Sequence, residues 1–334
     1  MAHSLMIRKL IKGNPLSEGD VMEIVESISN RSFDELQLSG LLCSMESKGY
    51  TPEELFYLKK YLMKKTLSVD LGDGAIDVCG TGGDHKGTFN ISTASVFVAA
   101  GAGARIAKHG NRAVSSASGS FDALKSLGIK IVNDQEKSFK CFRKTGISFL
   151  YAPYHHPVFR NIAYLRKRMG VRTVFNIIGP LLNPAGVKRQ VVGVFDPALT
   201  EVVAGAMKIS GVTRGMVVHG GGLDEITITG STKVTEIKDG NLVSYRISPE
   251  DYGMRKSKIS DLRAKTSDKS AALIESVLKG EISSRRDIVV LNSAAGIIVS
   301  GLAEDFGSAV NIAQDSIDSG MAMNKLEEVR EAMR

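Results

Sequence analysis

The sequence predicts an α/β fold: a mostly parallel sheet with one antiparallel excursion, plus a small all-helical domain at the N-terminus. Three observations carry this. Residues 1–66 show helical periodicity only, whereas from residue 75 onward short apolar β-like runs alternate with helical patterns. The third is the segment 225–247, "EITITGSTKVTEIKDGNLVSYRI", which alternates polar and apolar residues between turn signals at Gly230 and Asp239-Gly240 and reads as antiparallel. The turn-rich "LSVDLGDG" (67–74) separates the two textures. The expected domains are therefore 1–66, joined by helices from about 155–175, and 75–334.

Taken in order, the first 66 residues should make four amphipathic helices, near 1–12, 17–30, 33–48 and 51–66. Val21, Ile24, Val25 and Ile28 recur at i, i+3, i+4, i+7, one apolar helix face. In "TPEELFYLKKYLMKKT", Thr51 can cap, Pro52 takes the first helical position, and Glu54 completes a capping box. Lysines then fill the last turn, where the helix dipole favours cations. Beyond residue 75, "AIDVCG", "ARIAKHG", "ISFLYAP", "QVVGVFD", "GMVVHG" and "DIVVLNS" read as strands buried on both faces. Helical patterns at 92–101, 120–127, 136–144, 198–210 and 269–279 fall between them.

Composition is that of a soluble globular protein, 43% hydrophobic and 24% charged over 334 residues. The formal charge of +7 permits nucleic acid, acidic lipid or a phosphorylated small molecule as partner, but the basic residues are mostly interleaved with acids and form no polybasic tail. Cys43, Cys79 and Cys141 are odd in number and widely spaced, neither a disulfide framework nor a zinc site, which fits a reducing cytoplasm. "MAHSLMIRKLIKG" lacks the apolar core of a signal peptide, and no stretch approaches the ~18 apolar residues of a membrane span.

The candidate chemistry lies in three loops. "DVCGTGGDHKGTFNIST" (77–93) runs strand, Gly-rich turn, helix, the setting in which backbone N–H groups converge on an anion. It is not a Walker A loop, because Lys86 is followed by Gly87, nor a dinucleotide GxGxxG, because His85 takes the sixth position. Alone, it fits a phosphate cradle or an ordinary strand–helix turn equally well. Asn90, Ser92 and Thr93 offer caps and hydroxyls at the helix start. A second strand–loop–helix unit (104–128) brings Lys108, His109, Asn111 and Arg112, then Ser115, Ser116, Ser118 and Ser120. Two anion-competent loops on successive units suggest a ligand with two separated phosphate groups. In the third loop, "VVHGGGLDEIT" (217–227), Asp224 and Glu225 follow a strand end, and paired carboxylates beside phosphates suit magnesium.

The pieces "GTGGD", "FNIST", "KHGNRAVSSASGS", "HHP", "RTVFNIIGPLLNPA" and "GLDEI", in this order, resemble the anthranilate phosphoribosyltransferases over nearly the whole chain. The resemblance implies a nucleoside-phosphorylase-like phosphoribosyltransferase fold, a helical domain hinged on an α/β domain, and a cytoplasmic homodimer. It implies transfer of phosphoribose from phosphoribosyl pyrophosphate to the amine of anthranilate, with Mg²⁺ as cofactor, in tryptophan biosynthesis. Gly80, Gly82, Gly83 and Asp84 match the pyrophosphate loop. Thr88, Asn90, Ser92, Thr93, Lys108 and Ser120 match further contacts to that substrate. Asn111 and Arg166, with Gly80, match the anthranilate side, and Ser92, Asp224 and Glu225 match the metal positions.

Arg166 also has an independent reason, since guanidinium is the preferred partner of a carboxylate; its neighbours Lys167 and Arg168 read as solvated charges. His155-His156 lacks a third ligand and is not a zinc pattern; the family suggests a hinge or pocket wall. Phe121 stands where the family usually has a small residue, and "HGGGLDE" and "HHPVFRN" also depart from its pattern. No residue stands out as an obligatory general base. A pyrimidine nucleoside phosphorylase of the same fold would not need both "GTGGD" and "LDE", and a nucleic-acid-binding relative would not need Asp84, Lys108, Asp224 and Glu225 together. Neither nucleic acid nor a membrane is an expected partner.

Overall fold

The computed structural model describes residues 2–112 and 119–334. The loop serines Ser115, Ser116 and Ser118 lie outside the described residues. The chain opens with α1 (Ala2–Ile11), α2 (Glu18–Asn30), α3 (Glu35–Lys48) and α4 (Pro52–Met63). The periodic residues Val21, Ile24, Val25 and Ile28 are buried as their spacing requires. The capping box of α4 forms, with the Thr51 hydroxyl accepting from Glu54 N at 3.2 Å and Thr51 N donating to Glu54 at 2.9 Å. Glu54 is fully buried yet satisfied: Lys48 pairs with it at 2.7 Å, and Leu16 N donates to it at 2.8 Å. One carboxylate thus ties the starts of α2 and α4 to the end of α3.

Residues 76–220 alternate as the sequence predicts: β1 (Ile76–Gly80), α5 (Ile91–Gly101), β2 (Ile106–Gly110), α6 (Ser120–Ser126), α7 (Gln135–Thr145), β3 (Ile147–Tyr151), α8 (Ala152–His155), α9 (Ala163–Met169), β4 (Arg189–Gly193), α10 (Leu199–Ile209) and β5 (Arg214–Gly220). Then come β6 (Thr232–Lys238) and β7 (Asn241–Ile247), followed by α11 (Ser267–Leu278), α12 (Ser284–Ser300), α13 (Phe306–Asp318) and α14 (Met321–Ala332). Among the described residues these strands form a 7-stranded sheet in the order β3-β2-β1-β4-β5-β6-β7. The first five strands run parallel; β6 and β7 pair antiparallel. Asp239 (φ 51°) and Gly240 (φ 73°) make the tight turn between them, both in the left-handed region that a two-residue hairpin demands.

The predicted strand "DIVVLNS" is corrected. Residues 284–300 are the helix α12, with Ile288 through Val299 buried on every side. A short apolar run does not distinguish a strand buried on both faces from a helix in the middle of a core. Here α12 packs between α5 and α13 in the core that lies over one sheet face. The other face carries Val192, Val194, Val217 and Ile237 into a core shared with α1–α4, α10 and residues 158–182. The helical bundle therefore rests on the sheet through α10, where Gly205 admits Pro52: a Cβ there would stand 2.9 Å from the proline ring.

Strand order reverses between β1 and β4: β2 and β3 extend one way, β4 and β5 the other. The carboxyl ends of strands at such a switch point leave a crevice that α/β proteins use for ligands.

Candidate active site at the strand switch point

The crevice is shaped by one intrusion. Asp224, in the loop after β5, reaches across the ends of β4 and β1, and glycines make room for it. A Cβ on Gly193 would fall 1.6 Å from the Asp224 carbonyl oxygen, and one on Gly80 would fall 2.2 Å from its carboxylate. At the end of β5, a Cβ on Gly220 would lie 2.4 Å from the Glu225 carbonyl oxygen. The lack of a side chain at Gly80 therefore makes room for Asp224. Gly82 and Gly83 do another job: their φ values of 67° and 78° build the turn itself.

Gly82 N donates to Asp224 Oδ2 at 2.6 Å, so the turn is tied to the intruding carboxylate. Asp84 closes a local turn by accepting from Lys86 N at 3.1 Å, and its carboxyl stands within hydrogen-bond reach of Asp224. Glu225 accepts from Ser92 N, in the first turn of α5, at 3.2 Å. Three carboxylates thus converge without a matching number of cations. Burial, then the Asp84 charge, pushes Asp224 up to about 7. Burial, then Asp224, pushes Glu225 up to about 8. Both keep part of their surface open at the crevice while protein crowds them on the other sides.

The nearest opposing charge is Lys108. It is 2% exposed, with Nζ donating to Val78 O at 2.6 Å and to Ser92 Oγ at 3.1 Å. It lies below the site, anchored to the backbone. Carboxylates held close together at raised pKa, with an open side, fit a hard divalent cation. Among the described residues no group of three or more His, Cys, Asp or Glu closes around one point. An incomplete protein cage is what magnesium uses when phosphate and water complete its shell.

The remaining residues sort by surroundings. Thr88 is held by an antiparallel bridge to Arg263. Asn90 occupies the N-cap position of α5, but its side chain makes no cap bond; it accepts from Ser270 Oγ at 2.8 Å instead. Thr93 is fully enclosed, and its hydroxyl has no hydrogen-bond partner among the described residues. Ser120 donates to Asn111 O at 3.2 Å, pinning the mouth of the loop after β2. Phe121 is buried against Phe149 and Tyr151, so the departure from the family pattern is absorbed by an aromatic cluster.

Arg166 stands apart from the carboxylates. Burial draws its guanidinium below the ordinary range, it lies 5.6 Å above the Phe175 ring, and it has no ion-pair partner among the described residues. Arg168, by contrast, meets Glu35 at 3.8 Å on the surface. His156 Nε2 meets His109 Nε2 at 3.1 Å, and its Nδ1 meets the Thr66 hydroxyl at 3.1 Å. His155 Nδ1 meets Leu67 O at 2.8 Å. Burial holds His156 down to about 4 and His109 lower than usual, so the bridge joins neutral rings. These histidines stitch the end of α4 to β2.

Sequence reasoning missed Gly193, Arg172 and the buried network around Asp77. Gly193 carried a readable signal, since glycine inside a strand often marks close backbone approach. Arg172 bonds Gly83 O and stacks on Phe195. Asp77 accepts from Asn183 Nδ2 at 2.8 Å and His109 N at 3.3 Å; burial pushes it up to about 6 although Lys108 opposes that.

A helical bundle seated on a parallel sheet, with carboxylates and Gly-rich turns at its switch point, defines a transferase of the glycosyl class. The model of the "Glycosyl transferase family, a/b domain" matches residues 72–323, and that of its "helical bundle domain" matches residues 5–66. The chain is 45% identical to the anthranilate phosphoribosyltransferase of Clostridium kluyveri, covering 97% of both chains. It is 42% identical to that of Petrotoga mobilis, covering 97% of this chain and 95% of the relative. Among solved structures, anthranilate phosphoribosyltransferase from Thermus thermophilus superposes with a TM-score of 0.92 at 34% identity, covering 98% of this chain and 99% of that one. The Saccharomyces cerevisiae enzyme in complex with PRPP and Mg superposes with a TM-score of 0.89 at 26% identity, covering 99% and 97%. The chain belongs to the anthranilate phosphoribosyltransferase family.

Proposed function

We propose that this protein transfers the phosphoribosyl group of 5-phosphoribosyl 1-pyrophosphate to the amine of anthranilate, giving N-(5-phosphoribosyl)anthranilate and pyrophosphate, in tryptophan biosynthesis. The observation that carries this reading is the convergence of Asp224, Glu225 and Asp84 beside the Gly82–Gly83 turn, an electrostatic gap suited to a divalent cation with a pyrophosphate. Solved relatives bind PRPP and Mg, and 4-fluoroanthranilate.

The bond from ribose C1 to the pyrophosphate oxygen breaks as the bond from C1 to the amine nitrogen forms. The amine then loses its extra proton to the departing pyrophosphate or to water. Asp224 and Glu225, with Ser92 nearby, would hold Mg²⁺, which would supply charge neutralisation at the leaving group. The turn at Gly80, Gly82, Gly83 and Asp84 receives the pyrophosphate through backbone N–H groups. Thr88, Asn90 and Ser92 flank the phosphoribosyl moiety. Thr93, whose side chain is enclosed, contributes through its main-chain N–H in the first turn of α5. Lys108 supplies a fixed positive charge from below, and Ser120 holds the second loop near the ribose phosphate.

Arg166 receives the anthranilate carboxylate, with Asn111 and Gly80 bounding the ring. Aromatic amines are weak bases, so alignment outweighs deprotonation. Good alignment is worth up to about 7–11 kcal/mol. The helical body, residues 1–66 with about 155–175, closes on the body formed by 75–334 to achieve it. The protein acts as a homodimer in the cytoplasm, where Cys43, Cys79 and Cys141 stay as free thiols. No helix of the described residues is long and apolar enough to cross a membrane.

The deciding experiment follows anthranilate fluorescence on addition of phosphoribosyl pyrophosphate, with and without Mg²⁺. Magnesium-dependent loss of fluorescence is expected. Absence of turnover in folded protein that still binds phosphoribosyl pyrophosphate would remove anthranilate as the acceptor.

A further inference from the structure

Arg172 has no part in the reading above, yet it is placed to control the Gly-rich turn. Its Nη2 donates to the carbonyl oxygen of Gly83, and its guanidinium lies 4.1 Å above the ring centre of Phe195. Phe195 follows β4 by two residues, just past the Gly193 that accommodates Asp224. The turn is therefore gripped at two successive points, Gly82 N–H by Asp224 and Gly83 C=O by Arg172.

The second grip fixes a direction. In a trans peptide the carbonyl and the following N–H point to opposite sides, and no described peptide is cis. With the Gly83 carbonyl turned to Arg172, the Asp84 N–H is turned away from it, and it has no protein acceptor among the described residues. Gly83, at φ 78°, can flip this peptide cheaply if nothing holds it. The ring of Phe195 limits the plane the guanidinium can adopt, which a lysine ammonium would not feel.

Arg172 is also covalently close to the other half of the site. Gly170, in the left-handed conformation, ends α9, and Arg172 follows two residues later, six after Arg166. Thr173 N then donates to Asn176 Oδ1 at 3.0 Å to start the next turn. One short segment thus carries the candidate carboxylate receptor and the clamp on the candidate pyrophosphate turn.

We propose that Arg172 is a positioning residue: by holding the Gly83 carbonyl it aims the Asp84 N–H at the pyrophosphate, and it couples the α9 segment to the Gly-rich turn. This rests on the phosphoribosyl-transfer reading. The guanidinium works through the peptide it holds, and Phe195 is part of the same device although it meets no substrate.

The test compares wild type with Arg172→Gln, Arg172→Lys and Phe195→Leu. Calorimetry with phosphoribosyl pyrophosphate and Mg²⁺ gives Kd, steady-state kinetics give KM for each substrate, and melting gives stability. Arg172→Gln is expected to weaken phosphoribosyl pyrophosphate at least tenfold in Kd and KM, with anthranilate KM changed less than threefold and Tm within a few degrees. Arg172→Lys recovers little of this, and Phe195→Leu loses severalfold in the same parameter. Unchanged Kd in Arg172→Gln overturns the inference. So does full recovery by lysine together with a silent Phe195→Leu, which would make Arg172 a plain charge contact. Equal losses in both KM values with a collapsed Tm reduce it to a structural residue. Wild type that binds phosphoribosyl pyrophosphate but never consumes anthranilate sinks the function, while the Kd comparison still judges Arg172.

Discussion

Around Asp224, three strand ends carry glycine where any side chain would collide with residues 224–225, and a backbone N–H, a helix N–H and a buried lysine fix what remains. Around Arg166 there is far less: one aromatic ring below the guanidinium, no ion pair among the described residues, and a short helix tied to the bundle. The carboxylate side is held by packing and hydrogen bonds of the protein itself. The arginine side takes its position from how the helical body sits on the sheet. A transferase that must bind a highly charged donor before aligning a weak nucleophile is well served by that division. The charged half costs reorganisation energy if it is loose, whereas the other half has to admit its substrate.

The largest effect should come from removing the space that makes the first half possible. Gly193→Ala places a methyl group 1.6 Å from a backbone oxygen, so the segment carrying Asp224 and Glu225 must move. A displacement near 1 Å at such a site costs on the order of 10²-fold, and we expect at least that in kcat/KM. Gly82→Ala, at φ 67° with open space around it, meets only backbone strain of about 1–2 kcal/mol. Kinetics and melting curves of the two variants side by side check this; equal losses would mean that Asp224 is not fixed by packing.

Asp77, on β1 and bonded to Asn183, Gln190 and His109 N, offers a test by titration. It is fully buried, with a folded pKa of about 6 against a reference of 3.8. The folded state therefore binds its proton more tightly, and stability falls as pH rises from about 4 through 6, then levels off. At 1.36 kcal/mol per unit the loss approaches about 3 kcal/mol. Asp77→Asn cannot ionise, so its stability relative to wild type should climb across that window and stay constant above it, whatever its baseline. Denaturant melts at intervals from pH 4 to 8 give the slope. A flat difference would show the carboxylate ionised throughout and already matched by Lys108.

How much of this was legible in the sequence follows the same division. The Gly-rich turn and Asp224-Glu225 were visible because they are local: residue types forced by φ or by charge. The four N-terminal helices were visible through apolar period and capping, down to the Thr51–Glu54 box. Features made by residues distant in sequence were not. That Gly80 also leaves room for Asp224, 144 positions away, could not be read from the local pattern. Residues 287–293 looked like a strand because β-branched burial reads alike in either conformation, and only the three-helix packing around α12 decides it. Arg172 opens the recognisable piece "RTVFNIIGPLLNPA", but no role could be read for it, because its partners Gly83 and Phe195 are distant in sequence.

On the flexible side, Arg166→Ala should raise anthranilate KM by roughly 10–100-fold, the worth of one charge-assisted carboxylate bond of about 1.5–3 kcal/mol. The KM for phosphoribosyl pyrophosphate should stay within about threefold, since Arg166 lies outside the hydrogen-bonded carboxylate cluster. Lysine at 166 restores charge but not the two-pronged geometry, and should recover only part. Initial-rate measurements with each substrate varied separately decide it. A matching rise in both KM values would erase the distinction between the halves.

The smallest effect tests where the rigid half ends. Thr93 stands in the run of residues that match donor contacts, but its hydroxyl is enclosed and without a partner among the described residues. A buried hydroxyl without a partner costs stability, so Thr93→Val, nearly the same in volume, should leave stability unchanged or raise it by up to about 1 kcal/mol. If its share in binding is the main-chain N–H, both KM values stay put. Loss of phosphoribosyl pyrophosphate affinity in a stable Thr93→Val variant would mean the hydroxyl turns toward the ligand on closure, and that even the preorganised half moves.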